Sequence, residues 1–151
     1  MALSLRIILA VFMLVASFAA LADDERAQFN YTLHCQGCHL AEAEGFAGKV
    51  PVIKDFAGYF LHSQTGREFL IRVPGVALSA LDHSEVAELM NWLLRTHSAD
   101  QLPDPYTPFT AAEVQKLRGD PENDPAATRE IILAELAAEL PDLASELTND
   151  H

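Results

Sequence analysis

The chain has 151 residues, a length that suits one domain with a modest hydrophobic core. Acidic residues outnumber basic ones by 22 to 10, and the formal net charge at pH 7 is −12. Such a surface repels nucleic acids and anionic lipids, so neither is expected as a partner. The charge permits docking to a basic protein surface, although a solvated acidic coat is the simpler explanation.

The first predicted element is a secretory signal peptide over residues 1–22. Arg6 supplies a positive charge, Ile7 to Ala20 form an almost unbroken apolar run, and Ala20-Leu21-Ala22 has the small-x-small pattern that signal peptidase reads. A transmembrane anchor is the alternative, but the run is shorter than the roughly 20 residues that a membrane span needs. Cleavage after Ala22 removes one arginine and no acidic residue, so the predicted periplasmic form has a net charge of −13 and no membrane span.

Residues 23–97 are predicted to form one helical domain, and residues 98–151 an acidic helical extension. In chain order the domain holds a helix over 25–34, mostly loop over 37–48, a helical turn over 56–61 and a helix over 66–72 that Val73-Pro74-Gly75 ends. Asp82 or Ser84 caps the next helix, whose broad apolar face includes Leu89 and Met90. No β-type alternation appears, so the sequence predicts an all-α fold.

The extension carries 12 acidic and 3 basic side chains, yet it keeps more large apolar residues than a disordered acidic tail would. Its first part, residues 98–110, is predicted to be an extended strap with three prolines, followed by a short helix that Thr110 and Glu113 cap and Gly119 closes. Tyr106 and Phe109 are expected to pack this part on the preceding domain.

A second helix of the extension is predicted to begin at Asp124-Pro125, where aspartate caps and proline takes the first helical position. It carries an apolar stripe at helical spacing, formed by Ile132, Leu136, Leu140, Leu143 and Leu147. Two destinations stay open for this stripe: it covers the preceding domain, or it docks into the groove of a partner protein.

Two cysteines stand three positions apart in Cys35-Gln-Gly-Cys38, and His39 follows at once. Thiols at this spacing can each add across one vinyl group of a haem, and the histidine then lies beneath the iron and coordinates it. This C-x-x-C-H pattern predicts one covalently bound haem c. A thioredoxin-like redox pair would need a βαβ pattern, and half of a zinc site would need two further close ligands, yet the chain has no other cysteine.

From about Ala27 to Leu94 the sequence resembles the class I c-type cytochromes, the small cytochromes c of mitochondria and bacteria. Beyond the cysteine–histidine motif, the matching positions are Tyr31 four residues before the first cysteine, Pro51 twelve residues after the histidine, Ile53 two residues later, and the pair Leu89 and Trp92 in the C-terminal helix. Ala27 stands where the family usually has glycine, a mild departure.

The resemblance implies a cytochrome c-like three-helix haem fold, in which the C-terminal helix crosses the N-terminal helix against Ala27 and Tyr31. It implies that the Pro51 carbonyl holds the N–H of the His39 imidazole and that Ile53 packs on the haem. The implied activity is the transfer of single electrons at the haem edge, and not enzymatic catalysis. The residues agree, because no serine–histidine–acid order and no glycine-rich phosphate loop appears.

The second axial ligand of the iron departs from the family, which presents a methionine from the loop before the C-terminal helix. Here that loop, Val73–Leu81, contains neither methionine nor histidine. Four alternatives stay open: an iron without a second protein ligand, His62, His83, or Met90, whose default role within a helix is packing. The choice matters, because methionine raises the iron potential, whereas an open site binds small molecules such as CO.

The sequence therefore predicts a periplasmic electron carrier with one haem c. It would accept electrons from a dehydrogenase or another cytochrome and deliver them to a second haem protein or an oxidase. Two alternatives stay open: a haem-based module that binds or senses a small ligand, and a haem subunit of a larger redox complex attached through the acidic extension.

Overall fold

The computed structural model describes residues 23–141. The predicted signal peptide and the stripe residues Leu143 and Leu147 lie outside that range. Within it the secondary structure is helical, with an isolated bridge between Phe46 and Val50 and no strand. The predicted all-α fold is confirmed.

The helices are short and follow one another closely along the chain. They are α1 over 23–34, α2 Gln36–His39, a 3-10 helix Ala57–His62, α3 Gln64–Arg72, α4 Pro74–Ala77, α5 His83–His97, a 3-10 turn Ala99–Gln101, α6 Ala111–Leu117 and α7 Pro125–Glu139. None of the helices between residues 23 and 141 has the length and apolar character that crossing a membrane requires.

Local signals fix most helix ends. Of the two candidate caps of α5, Asp82 is the one used: its carboxylate accepts from Ser84 N and Glu85 N, while the Glu85 carboxylate accepts from Asp82 N at 2.9 Å. Helix α3 ends at Arg72 as expected, but Pro74 then starts α4, because proline suits the first helical position. The first half of the expected loop is therefore helical.

The main core forms where α1 crosses α5. The rings of Tyr31 and Trp92 lie 5.7 Å apart between centroids, and Ala27 and Leu89 belong to the same buried cluster. Ion pairs flank the crossing, with Arg26 Nη2 2.7 Å from Glu88 Oε2 and Arg95 Nη2 2.8 Å from Asp24 Oδ1. The predicted crossing of the N-terminal and C-terminal helices is confirmed.

The strap packs back on α5 through Asn91. The Tyr106 hydroxyl and the Phe109 N–H both donate to Asn91 Oδ1 at 2.8 Å, and Asn91 Nδ2 donates to Phe109 O at 2.9 Å. Phe109 is buried in the main core together with Val114 and Leu117 of α6. The predicted packing of Tyr106 and Phe109 is confirmed.

Asn91→Ala is expected to lower the free energy of unfolding by about 1–3 kcal/mol, because it leaves the Phe109 N–H and the Tyr106 hydroxyl without their acceptor. Urea denaturation followed by far-UV circular dichroism measures the loss. Thr96→Ala, an exposed position on the same helix, is the control and should change stability by less than about 0.5 kcal/mol. Equal effects of the two substitutions would show that Asn91 does not fasten the strap.

An arginine of α3 adds a second attachment for the strap. The Arg67 guanidinium lies 4.1 Å from the centre of the Phe109 ring and binds both carboxylate oxygens of Glu113, at 2.7 and 2.8 Å. Of the capping box predicted at Thr110, the bond to the Thr110 side chain is confirmed, and the return bond to the Glu113 carboxylate is wrong. Thr110 accepts from Glu113 N at 3.2 Å, but the Glu113 carboxylate is engaged by Arg67.

Helix α7 covers a second buried cluster. Its Ile132 and Leu136 are almost fully buried, and they pack with aromatic side chains of α3, the 3-10 helix and the residue before that helix, namely Phe69, Tyr59, Phe60 and Phe56. Within the described residues the structure therefore decides for the covering role of the stripe and against docking to a partner. The division of the chain at residues 22 and 97 stays a prediction.

Candidate haem site

The C-x-x-C-H motif forms a compact helical turn directly after α1. Cys35 N–H donates to Tyr31 O at 2.9 Å, and the N–H groups of Cys38 and His39 donate to Cys35 O at 3.1 and 2.9 Å. The sequence predicts mostly loop over 37–48, but helix α2 continues through His39. Both thiols are free, Cys38 is exposed and Cys35 is half-buried.

The direction of the Cys35 pKa shift bears on whether the two cysteines form a reactive redox pair. Burial raises the pKa of the Cys35 thiol, and the nearby Cys38 raises it further. Reactive pairs of thiol oxidoreductases show the opposite shift, because their chemistry needs a thiolate near pH 7. The direction at Cys35 therefore disfavours the thioredoxin-like alternative.

The His39 imidazole is half-buried and lies beside the Pro51 backbone. Burial lowers the pKa of His39, and the nearby backbone of Pro51 opposes that shift without cancelling it. The ring is thus neutral at pH 7, which is the form that ligates a metal. A backbone group of Pro51 beside this ring is what the resemblance implies for the ligating histidine.

The loop after the motif returns Pro51 to the His39 ring. Gly45 N–H donates to His39 O at 3.1 Å, and Phe46 and Val50 exchange backbone hydrogen bonds of 2.9 and 2.8 Å. Gly45 has φ +65°, and a Cβ there would lie 2.5 Å from Val50 O, so only glycine permits this close approach. Pro51, twelve residues after His39 in the sequence, therefore lies against the His39 ring.

The other two positions implied by the resemblance lie beside the motif. Tyr31 is buried, and its hydroxyl donates to Leu40 O at 2.7 Å. Ile53 is half-buried against the main core, and its N–H donates to Ala43 O at 2.9 Å. That Tyr31, Pro51 and Ile53 contact a haem stays a prediction.

The structure shows what each candidate for the second axial ligand contacts. Met90 is 6% exposed and packs in the main core. His62 Nε2 lies 3.0 Å from the carbonyl oxygen of Gln101. His83 is exposed, and its Nδ1 is 3.5 Å from the Arg118 guanidinium. The second axial ligand stays a prediction.

Arg118 organises the loop before α5, a role that sequence reasoning missed. Its guanidinium donates to the carbonyl oxygens of Ala77, Ser79 and Leu81 at 2.9, 2.6 and 2.8 Å. Leu78, at the centre of this held segment, is 71% exposed. Arg118 and its acceptors are 37 to 41 residues apart, too far for any local pattern to reveal the contact.

His97 is a second residue whose environment the sequence did not reveal. Its ring lies 5.9 Å from the Tyr31 ring and 5.5 Å from the Trp92 ring, between centroids. The His97 carbonyl accepts from Asp55 N at 2.7 Å. The end of α5 is thereby tied both to α1 and to the loop that follows the motif.

The chain is similar to cytochrome c-552 of Thermus thermophilus. It is 28% identical to that protein over 102 residues, which cover 56% of this chain and 78% of the relative. A second cytochrome c-552, from a particular strain of the same organism, matches at the same 28% identity, with 69% of its length covered. No protein-family model and no experimentally determined structure matches the chain.

The residues present fit a covalently attached haem. Attachment needs two reduced thiols, and the free Cys35 and Cys38 lie in one helical turn. Axial ligation needs a neutral imidazole, and burial keeps His39 in that form. Apolar surface is also available nearby, because Leu40 and Phe46 after the motif are exposed.

Proposed function

We propose that this protein is a periplasmic c-type cytochrome that carries single electrons between redox proteins. It holds one haem c through thioether bonds to Cys35 and Cys38, with His39 on the iron. The observation that carries the proposal is the helical turn over 35–39, which presents two free thiols beside a neutral imidazole that the Pro51 backbone contacts. The similarity to cytochrome c-552 supports the same conclusion.

A bound haem supplies a one-electron couple at its iron, and the side chains of this protein hold and tune it. Cys35 and Cys38 fix the ring covalently, and the segment from Gly45 to Pro51 holds the His39 imidazole. We assign no catalytic residue, since electron transfer needs only the positioned haem and a docking surface. Residues 1–22 serve as the export signal, 23–97 as the haem domain and 98–151 as the extension.

The docking partner is expected to present a basic surface. Four arginines of the described chain are engaged by its own carboxylates: Arg26, Arg67, Arg72 and Arg95. The chain has 22 acidic residues against 10 basic ones, so its acidic charge exceeds what its arginines and lysines can balance. Complementary charge steers association, so a dehydrogenase, cytochrome or oxidase with a basic docking face is the expected partner.

A denaturing gel stained for haem peroxidase activity tests the proposal on protein exported to the periplasm. Haem should migrate with the polypeptide, because thioether bonds survive unfolding, and the intact mass should exceed that of the peptide by one haem. Dithionite should reduce the protein in a single one-electron step. Haem that acidified organic solvent extracts from the native protein would refute covalent attachment.

A second function, the binding of a small ligand at an open sixth position, is favoured by the placement of Met90. That methionine is buried in the main core, and the loop Val73–Leu81 supplies neither methionine nor histidine. An iron without a second protein ligand can bind CO, NO or cyanide. A role as the haem subunit of a larger complex rests on the acidic extension alone.

The ferric protein is expected to lack the near-infrared charge-transfer band of sulfur ligation, and the ferrous protein is expected to bind CO readily. Met90→Leu should leave both properties unchanged, because Met90 packs in the core. His62→Ala should also leave CO binding unchanged. A charge-transfer band that disappears in Met90→Leu would place the sulfur on the iron, and a change to high spin in His62→Ala would indicate ligation by two histidines.

A further inference from the structure

Tyr31 contacts both ends of the C-x-x-C-H turn. Its backbone carbonyl accepts from Cys35 N at 2.9 Å, where the motif begins. Its side-chain hydroxyl donates to Leu40 O at 2.7 Å, one residue past His39. A single residue of α1 thus makes one hydrogen bond at the first residue of the motif and another just after its last residue.

The backbone at Leu40 is strained. Leu40 has φ 64° and ψ 179°, a combination that is populated essentially by glycine. Its N–H still donates to Gln36 O at 2.9 Å, so the strained residue closes the turn that contains His39. Strain of this kind persists only where surrounding contacts determine the conformation.

The Tyr31 hydroxyl is well placed to supply that contact. The Tyr31 ring is 2% exposed and packs in a three-ring cluster with Trp92 and His97, which leaves it little freedom. Burial raises the pKa of Tyr31 to about 12, so the hydroxyl keeps its proton and stays a donor at any pH near neutral. The hydrogen bonds that Cys38, His39 and Leu40 donate are backbone bonds within the turn itself, and from outside the turn Gly45 N–H donates to His39 O at 3.1 Å.

We infer that the Tyr31 hydroxyl is a positioning group for His39, which it fixes relative to the two thiols by holding the Leu40 carbonyl and keeping the strained turn closed. The resemblance to class I cytochromes asks only for an aromatic ring at this position, whereas the hydroxyl bond to Leu40 is a feature of this chain. The link from His39 to the iron rests on the proposed function, but the hold on the turn does not.

Tyr31→Phe removes the hydroxyl and keeps the packed ring. Tyr106→Phe is the matched control, because its hydroxyl also makes one hydrogen bond of similar length, 2.8 Å, but to Asn91 in α5. Amide hydrogen exchange of the haem-loaded protein should show about fivefold weaker protection at Leu40 in Tyr31→Phe and no change there in Tyr106→Phe. The iron–histidine stretching band in the Raman spectrum, recorded after photolysis of bound CO, should broaden or shift only in Tyr31→Phe.

Leu40→Gly provides the rescue, because glycine adopts φ 64° without strain. In that background Tyr31→Phe should change neither Leu40 protection nor the Raman band. If Tyr31→Phe alone yields no folded protein, recovery of the double variant supports the inference and failure of the double variant overturns it. Tyr31→Phe behaving like Tyr106→Phe in both measurements also overturns it.

The proposed function and the positioning role of Tyr31 can be refuted independently of each other. Wild-type protein without covalent haem would refute the haem assignment, while the exchange comparison at Leu40 would still decide whether the hydroxyl holds the turn. If the wild-type protein carries haem but Tyr31→Phe leaves the spectra unchanged, only the positioning role of Tyr31 is refuted.

Discussion

The double variant Cys35→Ala/Cys38→Ala is expected to carry no haem that survives a denaturing gel, because both thioether bonds are lost. Either single substitution should leave one attachment and lower the yield of haem-loaded protein several-fold. His39→Ala keeps both thiols, so attached haem should persist while the iron loses its axial imidazole and changes its absorption spectrum. Haem staining per mole of polypeptide, together with spectra of both oxidation states, measures the three outcomes.

Gly37→Ala is the control for these substitutions, since it changes the same turn without touching a thiol or the imidazole. A Cβ at Gly37 would meet no heavy atom within 4 Å, so the fold should accept alanine there. This variant is expected to attach haem like the wild type. Normal haem attachment in Cys35→Ala/Cys38→Ala would mean that the group is bound elsewhere, and the proposed site would be wrong.

Ile132→Ala is expected to lower the free energy of unfolding by about 2–5 kcal/mol, because its side chain is 1% exposed and fills the second buried cluster. The neighbouring Ile131 is 60% exposed and provides a matched control: Ile131→Ala should cost less than about 0.5 kcal/mol. The thermal midpoint of Ile132→Ala should accordingly fall by roughly 10 °C, measured by far-UV circular dichroism.

Truncation after Gly119 extends this test to the whole of α7. Its removal uncovers the aromatic side chains beneath Ile132 and Leu136, so a loss of stability larger than that of the single substitution is expected. A docking helix would give the opposite pattern. The shortened protein would then keep its thermal midpoint and transfer electrons more slowly to its partner, and Ile131→Ala would weaken that transfer more than it weakens the fold.

Together these contacts give the acidic extension a structural role. Phe109 of the strap packs in the main core, Arg67 binds Glu113 of α6, and α7 covers the second cluster. Arg118 reaches from the end of α6 to the loop before α5. Within residues 23–141, the extension therefore packs against the elements that precede it.

The chain's local patterns were sufficient to predict the features that short stretches of residues control. Asp82 and Asp124 cap their helices because an aspartate before a helix can bind its free N–H groups whatever lies beyond. The motif Cys35–His39 was recognisable for the same reason, since its chemistry depends on spacing alone. The contact of Pro51 with His39 followed from a resemblance, not from the residues themselves.

Only the tertiary structure decided which long-range partner each side chain meets. Ile131 and Ile132 are the same residue type side by side, yet one faces solvent and the other the second cluster. Glu113 fits a capping pattern, but the Arg67 guanidinium binds it more strongly than a backbone N–H can. The bond from the Tyr31 hydroxyl to Leu40 depends on a strained turn that no propensity favours. Spacing fixes what a segment can form by itself, whereas the choice among competing partners depends on the rest of the folded chain.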